Sequence, residues 1–216
     1  MKIEEIILFT NQIEKQKQFY QQVLELDLVF NSEEKITFKA GCSLLTFQYK
    51  KDVKAAHFAF NIPSNKIDDA LVWLKKRVYI LSDGETEISN FESWNAKAVY
   101  FYDADNNIVE CIARRDLNIE SSVSFSSKSI LYISEMAIAT ADISAVYQAI
   151  SNIKSIPIFD GDFNRFCALG NHEGLLILID KTVKTWQPTG EMAHTADFIM
   201  RGDYNFSFID GEVLST

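Results

Sequence analysis

The chain is poor in the residues that interrupt or staple a fold. Three prolines and eight glycines in 216 residues are too few for a collagen-like or low-complexity chain, so ordered elements are expected throughout. The three cysteines, Cys42, Cys111 and Cys167, are odd in number, widely spaced and each set in an apolar run. That pattern excludes a disulfide framework or a zinc knuckle and suits small buried thiols of a cytoplasmic protein. No apolar run approaches the roughly 20 residues that cross a bilayer. The start, with Glu4 and Glu5, has no cleavage site after a long apolar segment, so no secretory signal and no membrane partner are expected. Positive charge is short too. A formal net charge of -9 argues against nucleic acid, whose phosphates need clustered Lys and Arg.

What is present describes an ordinary globular protein: 47% hydrophobic and 24% charged residues, long enough for one large domain or two small ones. Residues 3–10 read as a strand bounded by Asn11, followed by an amphipathic helix over 12–25 carrying Ile13, Phe19, Tyr20, Val23 and Leu24. Strands at 26–30, 35–40 and 43–49 follow, separated by Asn31-Ser32 and Gly41. The pattern then restarts with a strand at 56–62, a cap at Ser64 or Asn65, a helix over 66–77, and strands at 78–81, 97–102 and 108–114. Between them, 82–95 reads as a long polar loop ending in Trp94-Asn95. Residues 117–129 are Ser-rich and read as a linker. A third start follows: a strand at 133–139, cap Asp142, a helix over 143–153, and strands at 156–159, 165–169 and 174–180. The tail reads as two strands around Arg201-Gly202-Asp203.

Laid together without gaps, IEEIILFTNQIEKQKQFY, AAHFAFNIPSNKIDDALVWL and ISEMAIATADISAVYQAI place Glu5, His57 and Glu135 at one strand position. The recurrence makes β-α-β-β-β the building block. Phe19-Tyr20 with Val23-Leu24, then His57, then Tyr102-Asp103-Ala-Asp-Asn-Asn107-Ile-Val-Glu110 resemble the vicinal oxygen chelate superfamily, which includes glyoxalases, extradiol dioxygenases, fosfomycin-modifying enzymes and bleomycin-resistance proteins. Glu25 stands where the family's FY-x-x-VLG has glycine, and Ala104 and Asn106 replace the proline and glycine of its DPDGN turn. The resemblance implies an α+β fold of tandem β-α-β-β-β units forming U-shaped, incompletely closed barrels. Residues 1–116 would be the paired domain, 117–129 the linker, and 130–216 a third unit with an incomplete fourth.

The resemblance also implies a divalent metal, Mn, Fe, Ni or Zn, held by His57, Glu110 and Glu5, with Leu45 or Thr46 at a fourth position that offers no good ligand. Glu5 doubles as a candidate general base. The residues support such a site independently, since a buried imidazole and a buried carboxylate are costly unless paired, hydrogen-bonded or metal-bound. A Glu in place of the usual His at position 5 favours a harder metal such as Mn(II). Trp94 and Asn95 are candidate substrate-binding residues, and Tyr100 and Tyr102 candidate catalytic hydrogen-bond donors. The strand at 174–180 has no acid matching Glu110, so Glu135 is left without a partner and the third unit reads as architectural. The function implied is a metal-dependent lyase, isomerase or dioxygenase acting on a small vicinally oxygenated substrate. The alternative is a metal-free, ligand-sequestering protein of the bleomycin-resistance type. Either is expected as a homodimer, with the cup formed within one chain or across two.

Overall fold

A computed structural model describes all 216 residues. The first unit comprises β1 (Ile3–Thr10), α1 (Ile13–Gln18), β2 (Asp27–Asn31), β3 (Lys35–Ala40) and β4 (Ser43–Tyr49). The second comprises β5 (His57–Ile62), α2 (Ile67–Lys75), β6 (Ile80–Leu81), β7 (Ser89–Phe91), β8 (Ala96–Tyr102) and β9 (Ile108–Arg114). The third is β10 (Tyr132–Thr140), α3 (Ile143–Ile153), β11 (Ile158–Gly161), β12 (Phe166–Asn171) and β13 (Gly174–Asp180). The tail contributes three strands, β14 (Phe198–Gly202), β15 (Phe206–Ile209) and β16 (Glu212–Ser215), where the sequence suggested two. None of the helices is long and apolar enough to cross a membrane.

Each unit repeats one rule. Its first strand lies parallel to its last, β1 beside β4, β5 beside β9 and β10 beside β13, and the helix covers the crossover. The strands join into one open 16-stranded sheet. The order of the units departs from the sequence reading. The neighbour of β5 is β10, antiparallel, with Glu135 opposite Ala59, while β1 runs antiparallel to β14 and touches β10 only at Ile3 and Ile133. The second unit is therefore joined to the third, and the first to the tail. Pattern and propensity define each unit, but which first strands meet depends on register and long-range packing, which a repeat does not encode.

β5 and β9 are buried along their whole lengths and β10 along all but its first residue. One face packs against the helices in a cluster of 45 buried residues. The other carries small side chains at Ala59, Ala98, Ala137 and Ala139 in a second cluster of 15, which leaves the sheet concave and hollow there. The Ser-rich stretch packs more closely than a linker: Phe125 is buried, and its ring meets Trp73 edge-on at 5.7 Å. Ser64 and Asn65 bond to Ile119 and Ser121 in this stretch and do not cap α2, whose N-cap is Lys66. Asp142 does cap α3, accepting from the Ala145 N–H at 2.9 Å.

Two departures from the family's glycine pattern are explained by backbone geometry. Glu25 and Asn106 stand in for glycine with φ of 56° and 62°, a left-handed conformation that costs an L-residue about 1–2 kcal/mol. Compensation is local. Glu25 accepts from Arg77 Nη2 at 2.7 Å, and the turn around Asn106 is held by Asp103, which accepts from Tyr20, Gln16, the Asn107 side chain and the backbone N–H groups of Asp105 and Asn107. This network ties the β8–β9 turn to the first unit's helix. Asp103→Ala is expected to lower the unfolding free energy by about 3 kcal/mol or more, and Tyr20→Phe by about 1 kcal/mol, in urea titrations.

Candidate metal centre

His57 opens β5 and is buried. Its Nδ1 lies 2.9 Å from the Ile108 carbonyl of β9, so Nδ1 carries the proton and donates, leaving the Nε2 lone pair free. Burial lowers its pKa to about 4, which keeps the ring neutral and fit for ligation. Glu110, two residues along β9, brings Oε2 to 3.6 Å from that Nε2, too far for a hydrogen bond.

The third member comes from an unexpected place. Glu135 of β10 completes a group in which one donor atom each from His57, Glu110 and Glu135 lie within 4.8 Å of one another, all three residues buried. A bulge aims it. The register slips between Ile133 and Glu135, leaving Ser134 extra in β10, and such bulges redirect side chains beside functional sites. Arg114, at the end of β9 and fully buried, pairs with Glu135. Burial raises the pKa of both carboxylates. The charge of Glu135 adds to this effect at Glu110, and Arg114 opposes it at each. Of the two buried acids only Glu135 has a guanidinium, and no Lys or Arg forms an ion pair with Glu110.

These groups line a cavity of about 250 Å³. Its walls are aromatic: Phe91, Trp94 and Phe166 form one group, and Trp186 stands edge-on over His57 at 5.4 Å. Tyr100 faces Glu110 across the β8–β9 ladder. Burial, then the charges of Glu110 and Glu135, raise its hydroxyl well above the phenol range, so it stays a hydrogen-bond donor. The position in the third unit that matches Glu110 is Ile177, which lies opposite Ala137 as Glu110 lies opposite Ala59. An apolar side chain there offers the triad no fourth ligand atom.

Of the residues singled out in the sequence, His57, Glu110, Tyr100 and Trp94 meet in this cavity, and the others do not. Glu5 accepts from Thr46 Oγ1 at 2.6 Å and from Arg201 Nη1 at 2.9 Å. Its strand adjoins the tail and not β5, so it belongs to the other half of the sheet. Tyr102 shares a strand face with Tyr100 but lies further along, where burial and the nearby Glu191 raise its hydroxyl above the usual phenol range. Asn95 turns the chain into β8 with φ 47° and donates to Asp116 at 2.6 Å. Glu135 and Trp186 complete the site. The repeat itself was the signal for Glu135, since it occupies the position of His57.

No family model matches the chain. The metallothiol transferase FosB of Staphylococcus epidermidis is 28% identical over 116 residues, half of this chain and 80% of that enzyme, and FosB of Staphylococcus haemolyticus matches equally. Among solved structures, a "putative dioxygenase" of Bacillus subtilis superposes on 99% of this chain and 68% of its own, with a TM-score of 0.60 at 16% identity. Tandem β-α-β-β-β units joined into an open sheet, with acids and a histidine in the hollow, define a class of fold and site. The chain is similar in fold to the vicinal oxygen chelate proteins, and over half its length similar in sequence to FosB.

The imbalance of charge has a measurable consequence. In metal-free protein, Arg114→Met is expected to lower the unfolding free energy by about 3–5 kcal/mol, because it strands two buried carboxylates. Glu110→Gln should leave stability unchanged or raise it. Equal losses in the two variants would contradict this account.

Proposed function

We propose that the protein is a metal-dependent enzyme that binds one divalent ion through His57 Nε2, Glu110 and Glu135 and acts on a small molecule bearing two adjacent oxygens. The observation that carries this reading is the triad, three donors within 4.8 Å in a buried, aromatic-walled cavity. The donor set fits such an ion: a neutral imidazole with a free nitrogen and two carboxylates suit Mn, Fe, Ni or Zn, and two acids to one histidine favour the harder of these. The negative charge that Arg114 leaves unbalanced is what a cation would offset.

When bound, the ion supplies Lewis-acid stabilisation of negative charge on the ligand's oxygens. The Ile108 carbonyl holds the imidazole of His57 in one tautomer, as outer partners of metal-ligating histidines do. Arg114 orients Glu135 through one oxygen, and Tyr100 offers a neutral hydroxyl beside Glu110. Trp186 and Trp94 exclude water. The names of the relatives, a metallothiol transferase and a "putative dioxygenase", support the same class of chemistry without choosing a reaction. Buried thiols at Cys111 and Cys167 agree with a cytoplasmic setting.

Equilibrium dialysis of chelator-stripped protein against Mn(II), Ni(II) and Zn(II) tests the reading. About one ion per chain is expected, with affinity reduced by tenfold or more in His57→Ala, Glu110→Ala and Glu135→Ala. Glu5→Ala should bind as the wild type does. Failure of the wild type to hold any of these ions would overturn the reading and favour a metal-free ligand-binding protein.

A further inference from the structure

One cation lines the cavity and has no partner there. Lys184 follows β13, is half-buried, forms no ion pair, and carries Nζ 4.3 Å from the centre of the Phe166 ring. Burial, reinforced by the charge of Arg165, lowers its pKa, so the ammonium is short of solvent and of a counter-charge. Asp160, the acid at the same mouth, is already engaged. Its Oδ2 accepts from Trp94 Nε1 at 2.6 Å and its Oδ1 from the Gly161 N–H at 2.7 Å.

Charge fixes the ligand's sign. Glu110, Glu135 and Asp160 bring three negative charges to the cavity, and Arg114 and Lys184 bring two positive ones. With a divalent ion held by the two glutamates, Lys184 is the lining cation left to receive an anionic group of the ligand. Shape fixes the rest. The rings of Trp94 and Phe166 lie 6.0 Å apart and tilted by 36°, and a cavity of about 250 Å³ suits a small flat body more than a flexible chain.

We propose that the ligand is a small flat anion, its charged group on Lys184 at the mouth and its flat body against Trp94 and Phe166. This rests on the metal-centre reading above, and it makes Lys184 the residue that determines charge specificity. A buried or half-buried ammonium bonded to an anion is worth roughly ten- to a hundredfold in affinity.

The test is calorimetric titration of Mn(II)-loaded protein, under anaerobic conditions, with protocatechuate and with its uncharged amide. Manganese stoichiometry is measured on the same samples. The carboxylate is expected to bind at least about tenfold tighter than the amide, with the preference lost in Lys184→Met and kept in Lys184→Arg. If manganese binds at about one per chain but the two probes bind alike or not at all, or if Lys184→Met keeps the preference, this proposal is overturned and the metal centre stands. If the wild type binds no manganese, the metal-centre reading fails and the proposal fails with it.

Discussion

The pairing of β5 with β10 is the constraint on which the site depends. It is an antiparallel seam between two β-α-β-β-β units, and it sets His57 and Glu110 of one unit beside Glu135 of the other. The parallel ladder from β5 to β9 fixes the first two residues relative to each other. The extra residue Ser134 in β10 turns the third toward them. Alanines on the inward faces of these strands then keep the concave side from filling. A one-residue slip along this seam would send Glu135 to the opposite face of the sheet. The burial of β5 on both sides makes such a slip costly.

The two halves of the sheet treat the same strand position in opposite ways. In the first unit Glu5 is satisfied, bonded to Thr46 in its own unit and neutralised by Arg201 from the tail. In the joined second and third units the acids outnumber the bases, and only one of the two carboxylates has a guanidinium. An ion pair closes the first arrangement, and the second keeps a carboxylate without a cationic partner. Holding buried acids without full compensation works against the stability of the fold, which is the usual compromise at sites selected for chemistry.

Much of this was legible in the sequence, because the repeated alternation, the helix periodicity and the turn at Asp103–Asn107 are local signals. His57 and Glu110 stood out because polar residues in apolar strands need a reason. Glu135 occupied the same repeated position, yet it was set aside because its own unit offers no acid at Ile177. Its partners lie in another unit, and no pattern within one segment encodes that. A bulge such as the one at Ser134 leaves no periodic mark, since it shifts the register by one residue only where two strands meet. The loop that places Trp186 over His57 has no regular structure to read. Conversely, Glu25 and Asn106 look like defects against a glycine pattern, and the structure shows both still in the left-handed conformation glycine would favour.

That β5 and β10 belong to one polypeptide also bears on how the centre assembles. Its donors come from two units but a single chain, so bringing them together is an intramolecular event. Its probability is set by an effective local concentration and not by the amount of protein present. The pocket should therefore remain intact on dilution to concentrations at which a centre shared between separate subunits would fall apart. Covalent fusion of the units makes the assembly of these three residues depend on folding alone.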